Sequence, residues 1–155
     1  RSHMLGNEEE IIFAATDLLA DTKLAPELSN EAHYYRAKAY LDAGKTDGAM
    51  EDLKVLAKDT RNVYGAEAKY KVAQIYFDGG QTDKAEQEVL NYIEVSTPHT
   101  YWLARSFVLL ADVYMKLGRN LDAKQYLLSL KQNYQADDDI AGMIESRLEK
   151  LKTEN

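Results

Sequence analysis

The chain has 155 residues, of which 45% are hydrophobic and 29% charged, and it carries a formal net charge of −7. Its length is that of one globular domain with a real core, and its acidity argues against nucleic-acid binding, which wants a basic stripe for the phosphates. It has no cysteine, which removes disulfide frameworks, thiolate zinc sites and cysteine nucleophiles.

Taken from the start, RSHM at residues 1–4 reads as a cloning and tag-cleavage remnant and is set aside from fold reasoning. The lack of a signal peptide therefore carries no information, and cytoplasm and periplasm are both compatible. Residues 5–28 hold Ile11, Ile12, Ala15, Leu18, Leu19 and Thr22 on one helical face, so a helix is predicted there. Three segments then repeat one pattern. The first has Ala37, Tyr40, Gly44, Ala49 and Leu53. The second has Ala73, Tyr76, Gly80, Ala85 and Val89, and the third has Ala111, Tyr114, Gly118, Ala123 and Leu127. The spacing is three, four, five and four each time.

Each position has a physical task. The three glycines fall where a helix must stop, because glycine takes the left-handed conformation without a Cβ clash. Thr46, Thr82 and Asn120 follow two residues later as predicted N-caps of the next helix. The alanines let two helices cross closely, and Tyr40, Tyr76 and Tyr114 fill the space around the crossing. Each unit is thus helix, tight turn, helix, and neighbouring units must stack to bury their apolar faces. No apolar run reaches the length of a membrane span, and FVLLA at 107–111 ends at Asp112, so no direct membrane insertion is expected. At the far end Asp137, Asp138 and Asp139 open a helix carrying Ile140, Met143, Ile144, Leu148 and Leu151. Lys150 and Lys152 near its end suit the helix dipole. This reads as a capping helix.

The repeated unit resembles the tetratricopeptide repeat, a helix-turn-helix of about 34 residues. The resemblance covers roughly residues 30–136. It departs from the family pattern at His33 and Lys69, where a large residue is expected and only Phe107 provides one. The resemblance implies an all-α, right-handed solenoid. Its parts would be residues 5–28 as the second helix of a preceding partial repeat, then repeats at 29–64, 65–100 and 101–136, then a C-terminal cap at 137–155. Ala14, Leu18 and Pro26 match the second-helix alanine, apolar residue and closing proline of that partial repeat. The chain would then be a fragment of a longer array, and it resembles the C-terminal piece of the long tetratricopeptide proteins of Gram-negative bacteria.

The resemblance also implies a non-enzymatic module that binds a peptide or protein surface in a concave groove. Carried over position by position, the groove takes Tyr34, Lys38, Leu41 and Asp42 from the first repeat. The second supplies Tyr70, Gln74, Phe77 and Asp78, and the third Arg105, Val108, Asp112 and Met115. Tyr34 and Tyr70 could equally pack between neighbouring first helices. Receptors of this family for chaperone C-terminal tails hold the carboxylate in a Lys/Asn/Arg clamp; the matching positions here are Tyr34, Lys38, Lys71, Arg105 and Leu109, with no asparagine, which argues against such a receptor. Two further readings stand beside the groove: the structural end of an array, with homo-association at an open N-terminal edge, and an accessory region of a larger enzyme. Neither His33 nor His99 has metal-ligand spacing, and Gly79–Gly80 lacks the strand and the Gly-Lys-Ser/Thr of a phosphate loop, so no metal, cofactor or catalytic residue is predicted.

Overall fold

The computed structural model describes residues 2–153, and side chains from residue 6 onward; Arg1, Glu154 and Asn155 lie outside the described residues, as do the side chains of the predicted tag remnant and the end of the predicted cap. The described residues form eight helices and no strand, so the protein is all-α. In order they are α1 (Ser2–Leu19), α2 (Pro26–Asp42), α3 (Thr46–Leu56), α4 (Val63–Asp78), α5 (Thr82–Val95), α6 (Thr100–Lys116), α7 (Asn120–Asn133) and α8 (Ile140–Thr153). The chain forms two compact units, Arg1–Ile75 and Tyr76–Asn155.

The repeated spacing folds into the same turn three times. Gly44, Gly80 and Gly118 have φ of 77°, 79° and 78°. The amide of Lys45 donates to the Tyr40 carbonyl at 2.7 Å and that of Gly44 to Leu41 at 3.1 Å. Gln81 and Gly80 repeat this on Tyr76 and Phe77, and Arg119 and Gly118 on Tyr114 and Met115. This is a Schellman turn, in which two otherwise orphaned carbonyls at a helix end find donors.

The predicted N-caps are corrected here. Thr46, Thr82 and Asn120 are the first residues of α3, α5 and α7, and the cap positions are Lys45, Gln81 and Arg119, none with a capping side-chain hydrogen bond. The turn is too short for a separate cap. The residue after glycine both closes the Schellman turn and accepts the first bond of the next helix, as the Lys45 carbonyl does from the Ala49 amide at 3.2 Å. Pro26 likewise stands as the first residue of α2, where its missing N–H costs nothing.

In the first unit α2 packs on both α1 and α3. Ala37 and Ala49 are fully buried where the helices cross. The Tyr40 ring lies against Gly48, where a Cβ would come within 3.0 Å of it. Gly65, near the start of α4, is held closer still. A Cβ there would stand 1.9 Å from the Asp59 carbonyl oxygen, so only glycine lets α4 approach the end of α3. Asn62 caps α4, its side-chain oxygen accepting from the Tyr64 amide at 2.9 Å.

A buried carboxylate holds the first three helices together. Asp52 on α3 is fully buried and accepts from Arg36 on α2 through both oxygens, Nε to Oδ2 at 2.8 Å and Nη2 to Oδ1 at 2.7 Å. His33 lies 2.8 Å from the same Oδ1, and Arg36 Nη1 donates to Thr16 on α1 at 3.0 Å. The bond to Asp52 raises the Arg36 pKa further, so the guanidinium keeps its charge despite partial burial.

In the second unit α6 packs on α5, α7 and α8, and α7 also packs on α8. Leu109, Leu110, Ala111, Val113, Ala123 and Leu127 form the centre, all 2% exposed or less. Ile140, Ile144 and Leu151 bury one face of α8 against it. Asp138 and Asp139 precede α8 rather than belong to it, and the Asp138 carboxylate accepts from the Ile140 amide at 2.9 Å.

Candidate functional site

The first helices α2, α4 and α6 carry every residue assigned to the groove by resemblance. The two units present these residues differently.

In the first unit they gather around a tyrosine cluster. The Tyr34 ring stands 4.4 Å from Tyr64 and 5.3 Å from Tyr35, centre to centre. Its hydroxyl donates to Glu67 on α4 at 3.0 Å, and Glu67 also pairs with Lys71 at 2.6 Å. Lys38 places its ammonium 5.5 Å above the Tyr34 ring. Burial, followed by the Glu67 carboxylate, pushes the Tyr34 phenol up to about 12. Tyr34 is therefore half packing residue and half surface. Its neighbour Tyr35 is 50% exposed. Leu41 and Gln74 are half-buried and Asp42 is exposed. Tyr70 departs from the groove expectation. It is buried at 6% exposure, with its hydroxyl donating to Gln74 at 2.8 Å, so it packs rather than offering a surface.

In the second unit an open cleft of about 550 Å³ is lined by Phe77, Asp112, Met115, Lys116, Ser146, Arg147 and Lys150. Three of these, Phe77, Asp112 and Met115, are groove positions read from the sequence. The others come from the end of α6 and from α8. Arg147 on α8 grips Asp112 on α6 with Nε to Oδ1 at 2.9 Å and Nη2 to Oδ2 at 3.0 Å. Asp112 is thus neutralised from within the unit. Val108 is 3% exposed and belongs to the core, a second departure from the expected groove. Arg105 lies elsewhere on α6. Its guanidinium stands 5.8 Å from the Trp102 ring and donates to the Tyr101 hydroxyl at 3.4 Å, while Tyr101 donates to Asp139 at 2.8 Å. Asp78 is exposed.

Arg147, Lys116 and Lys150 did not figure in the sequence reading of the groove. The signal for them is faint: Arg147 lies three residues after the buried Ile144 and four before the buried Leu151, at the edge of the packed face of α8, and Lys150 follows it three residues on. The packing tyrosines grade from half-buried at Tyr40 and Tyr76 to 4% exposed at Tyr114. No group of three or more His, Asp or Glu side chains among the described residues is placed to hold a metal ion. No helix among them is long and apolar enough to cross a membrane.

Comparison with known families finds two matches, both described as tetratricopeptide repeat, at residues 31–59 and 104–133. The first runs from within α2 to just past α3, and the second from within α6 to the end of α7. No curated protein and no solved structure matches the chain.

Proposed function

The chain carries tetratricopeptide repeats, which generally mediate protein–protein interaction or scaffolding and are typically non-catalytic, and from that premise we propose that it is a non-enzymatic module binding a peptide or protein surface on the first-helix side of its repeats, the side assigned to the concave groove. The observation that carries this reading is the cluster of Tyr34, Tyr35 and Tyr64. The half-exposed Tyr35 stands edge-on against Tyr34, whose ring in turn lies against Tyr64 and whose hydroxyl is tied to Glu67. Rigid tyrosines supply large contact area at little cost in ordering entropy, which is how a preorganised surface gains affinity.

The experiment begins with a partner recovered by affinity capture on the full-length protein. Calorimetry then compares the parent with Tyr35→Ala. The expected result is a loss of at least about tenfold in affinity, the size typical of a central aromatic anchor, with an unchanged melting temperature. Equal affinities would move the binding surface away from the first helices.

A second reading is favoured by one observation on α1. Ile11 and Leu18 lie on one face of it and are 43% and 50% exposed. Stacking of a further repeat or a second copy on this face would cover them. Sedimentation of the parent and of Leu18→Glu at rising concentration distinguishes the two, because only homotypic stacking makes the parent associate and the variant stay monomeric.

A further inference from the structure

We infer that the cleft between α6 and α8 binds an acidic peptide segment carrying a large apolar side chain. This rests on the reading above that the chain binds proteins, and it names the chemistry of the segment.

Charge is the first argument. The protein as a whole is at −7, yet the cleft is lined by Lys116, Lys150 and Arg147 against the single carboxylate of Asp112. That carboxylate is fully engaged, with both of its oxygens on Arg147. Lys116 and Lys150 are exposed, and among the described residues neither ammonium forms an ion pair. The cleft is a cationic spot on an acidic molecule, so opposite charge is attracted to it while most of the remaining surface repels it.

Shape is the second argument. Phe77 and Met115 line the same space and are half-buried, giving it an apolar part beside the two lysines. A volume of about 550 Å³ is large enough for several side chains but is open to solvent rather than enclosed. A bare anion would leave the apolar part unused, and a purely apolar segment would leave two cations desolvated. A segment with both kinds of side chain satisfies both.

Rigidity is the third argument. α8 is fixed from two sides. Ile140, Ile144 and Leu151 are buried in the core, and the paired bonds of Arg147 clamp the helix to α6. Lys150, three residues after Arg147, is therefore held near Lys116 before any ligand arrives, which lowers the ordering cost of binding. The helix that caps the second unit is also one wall of the site.

The test uses a fluorescein-labelled peptide of alternating leucine and glutamate, titrated with the full chain and followed by anisotropy at low salt. Lys116→Glu combined with Lys150→Glu changes only exposed side chains, and circular dichroism verifies the fold. The expected result is saturable binding that weakens with added salt, and a loss of at least about tenfold in the double variant. A peptide with alanine in place of leucine is expected to bind about tenfold more weakly. Failure of the leucine–glutamate peptide to bind, or equal affinity in the double variant, would overturn the assignment. So would equal binding of polyglutamate or of a short oligonucleotide, which would make the cleft a site for charge alone. The two proposals can fail separately. A partner whose binding falls with Tyr35→Ala yet withstands the lysine reversals would leave the protein-binding reading intact and remove the cleft from it.

Discussion

The α2–α3 and α6–α7 pairs share one backbone and differ in what fills it. Both cross at fully buried alanines, Ala37 with Ala49 and Ala111 with Ala123, and both end their first helix with the same Schellman turn. Set in register on those alanines, His33, Arg36 and Asp52 in the first pair stand where Phe107, Leu110 and Tyr126 stand in the second. In one the helices are joined by a buried carboxylate gripped through both oxygens. In the other they are joined by a fully buried leucine and by two rings at 6.2 Å. The turn and the small residues thus set the geometry of the crossing, and the surrounding positions accept either chemistry provided it is complete.

The sharpest way to break this comparison is to leave the polar set incomplete. Asp52→Ala removes the partner of Arg36, whose side chain is only 19% exposed. The stranded charge is expected to cost about 3 kcal/mol, toward the low end for a broken buried pair because Arg36 retains some contact with water. Urea unfolding measures it. The informative companion is the triple exchange H33F/R36L/D52Y, which installs the α6–α7 set in the first pair. Replacing a whole buried ion pair by packed apolar groups is often neutral or stabilising, so the triple variant is expected to be more stable than Asp52→Ala. If it is less stable, the two sets are not interchangeable, and the tie from Arg36 to Thr16 on α1 is the reason.

The shared crossing can be tested directly at its alanines. Ala49→Leu and Ala123→Leu each force a large side chain into a position with no exposure. Each is expected to lower stability by about 1–3 kcal/mol through overpacking. Similar losses in thermal melts would make the crossings mechanically equivalent. Tolerance at one site alone would mean that the common spacing hides different packing.

These cases show what a sequence makes legible. The turns were plain because a positive φ places a demand on residue type that glycine meets, and three glycines at matched spacing repeat that demand. The caps were misplaced because a three-residue connection makes its last residue serve both helices, and no side-chain signal marks it. The Asp52 network went unread because a buried aspartate and a solvated one look alike in a chain with 26 acidic residues. Its signal was the register itself, a polar trio in one repeat against an apolar trio in another. The cleft was half legible. Phe77, Asp112 and Met115 followed from repeat positions, while Arg147 and Lys150 lie on a helix outside the repeat, where no register carries over. Val108 was assigned to the surface by position, and Tyr70 was left between groove and packing; packing that no local pattern reports buries both.

The smallest expected effect lies at high pH, and it tests whether tyrosines in the two units sit in equivalent electrostatic settings. Tyr34 and Tyr114 are each pushed up from the ordinary 10.0 to about 12, in both cases mainly by burial and then by a neighbouring glutamate, Glu67 for Tyr34 and Glu86 for Tyr114. A raised pKa means that the folded state favours the neutral phenol, so each group's contribution is fully present below pH 10.0. It is lost as pH rises from 10.0 through about 12, because the unfolded chain ionises first. At neutral pH the shifts are silent. Urea midpoints are therefore expected to hold steady up to pH 10.0 and to fall above it. Ultraviolet titration of tyrosinate in the native protein should show a late-ionising fraction that merges with the rest in denaturant. Tyr34→Phe and Tyr114→Phe should each remove part of that fraction and flatten the alkaline loss. A Tyr114→Phe variant that leaves the late fraction unchanged would mean that Arg119, whose guanidinium stands 4.4 Å from the Tyr114 ring, offsets burial and Glu86. The two units would then differ in electrostatics as they already differ in core chemistry.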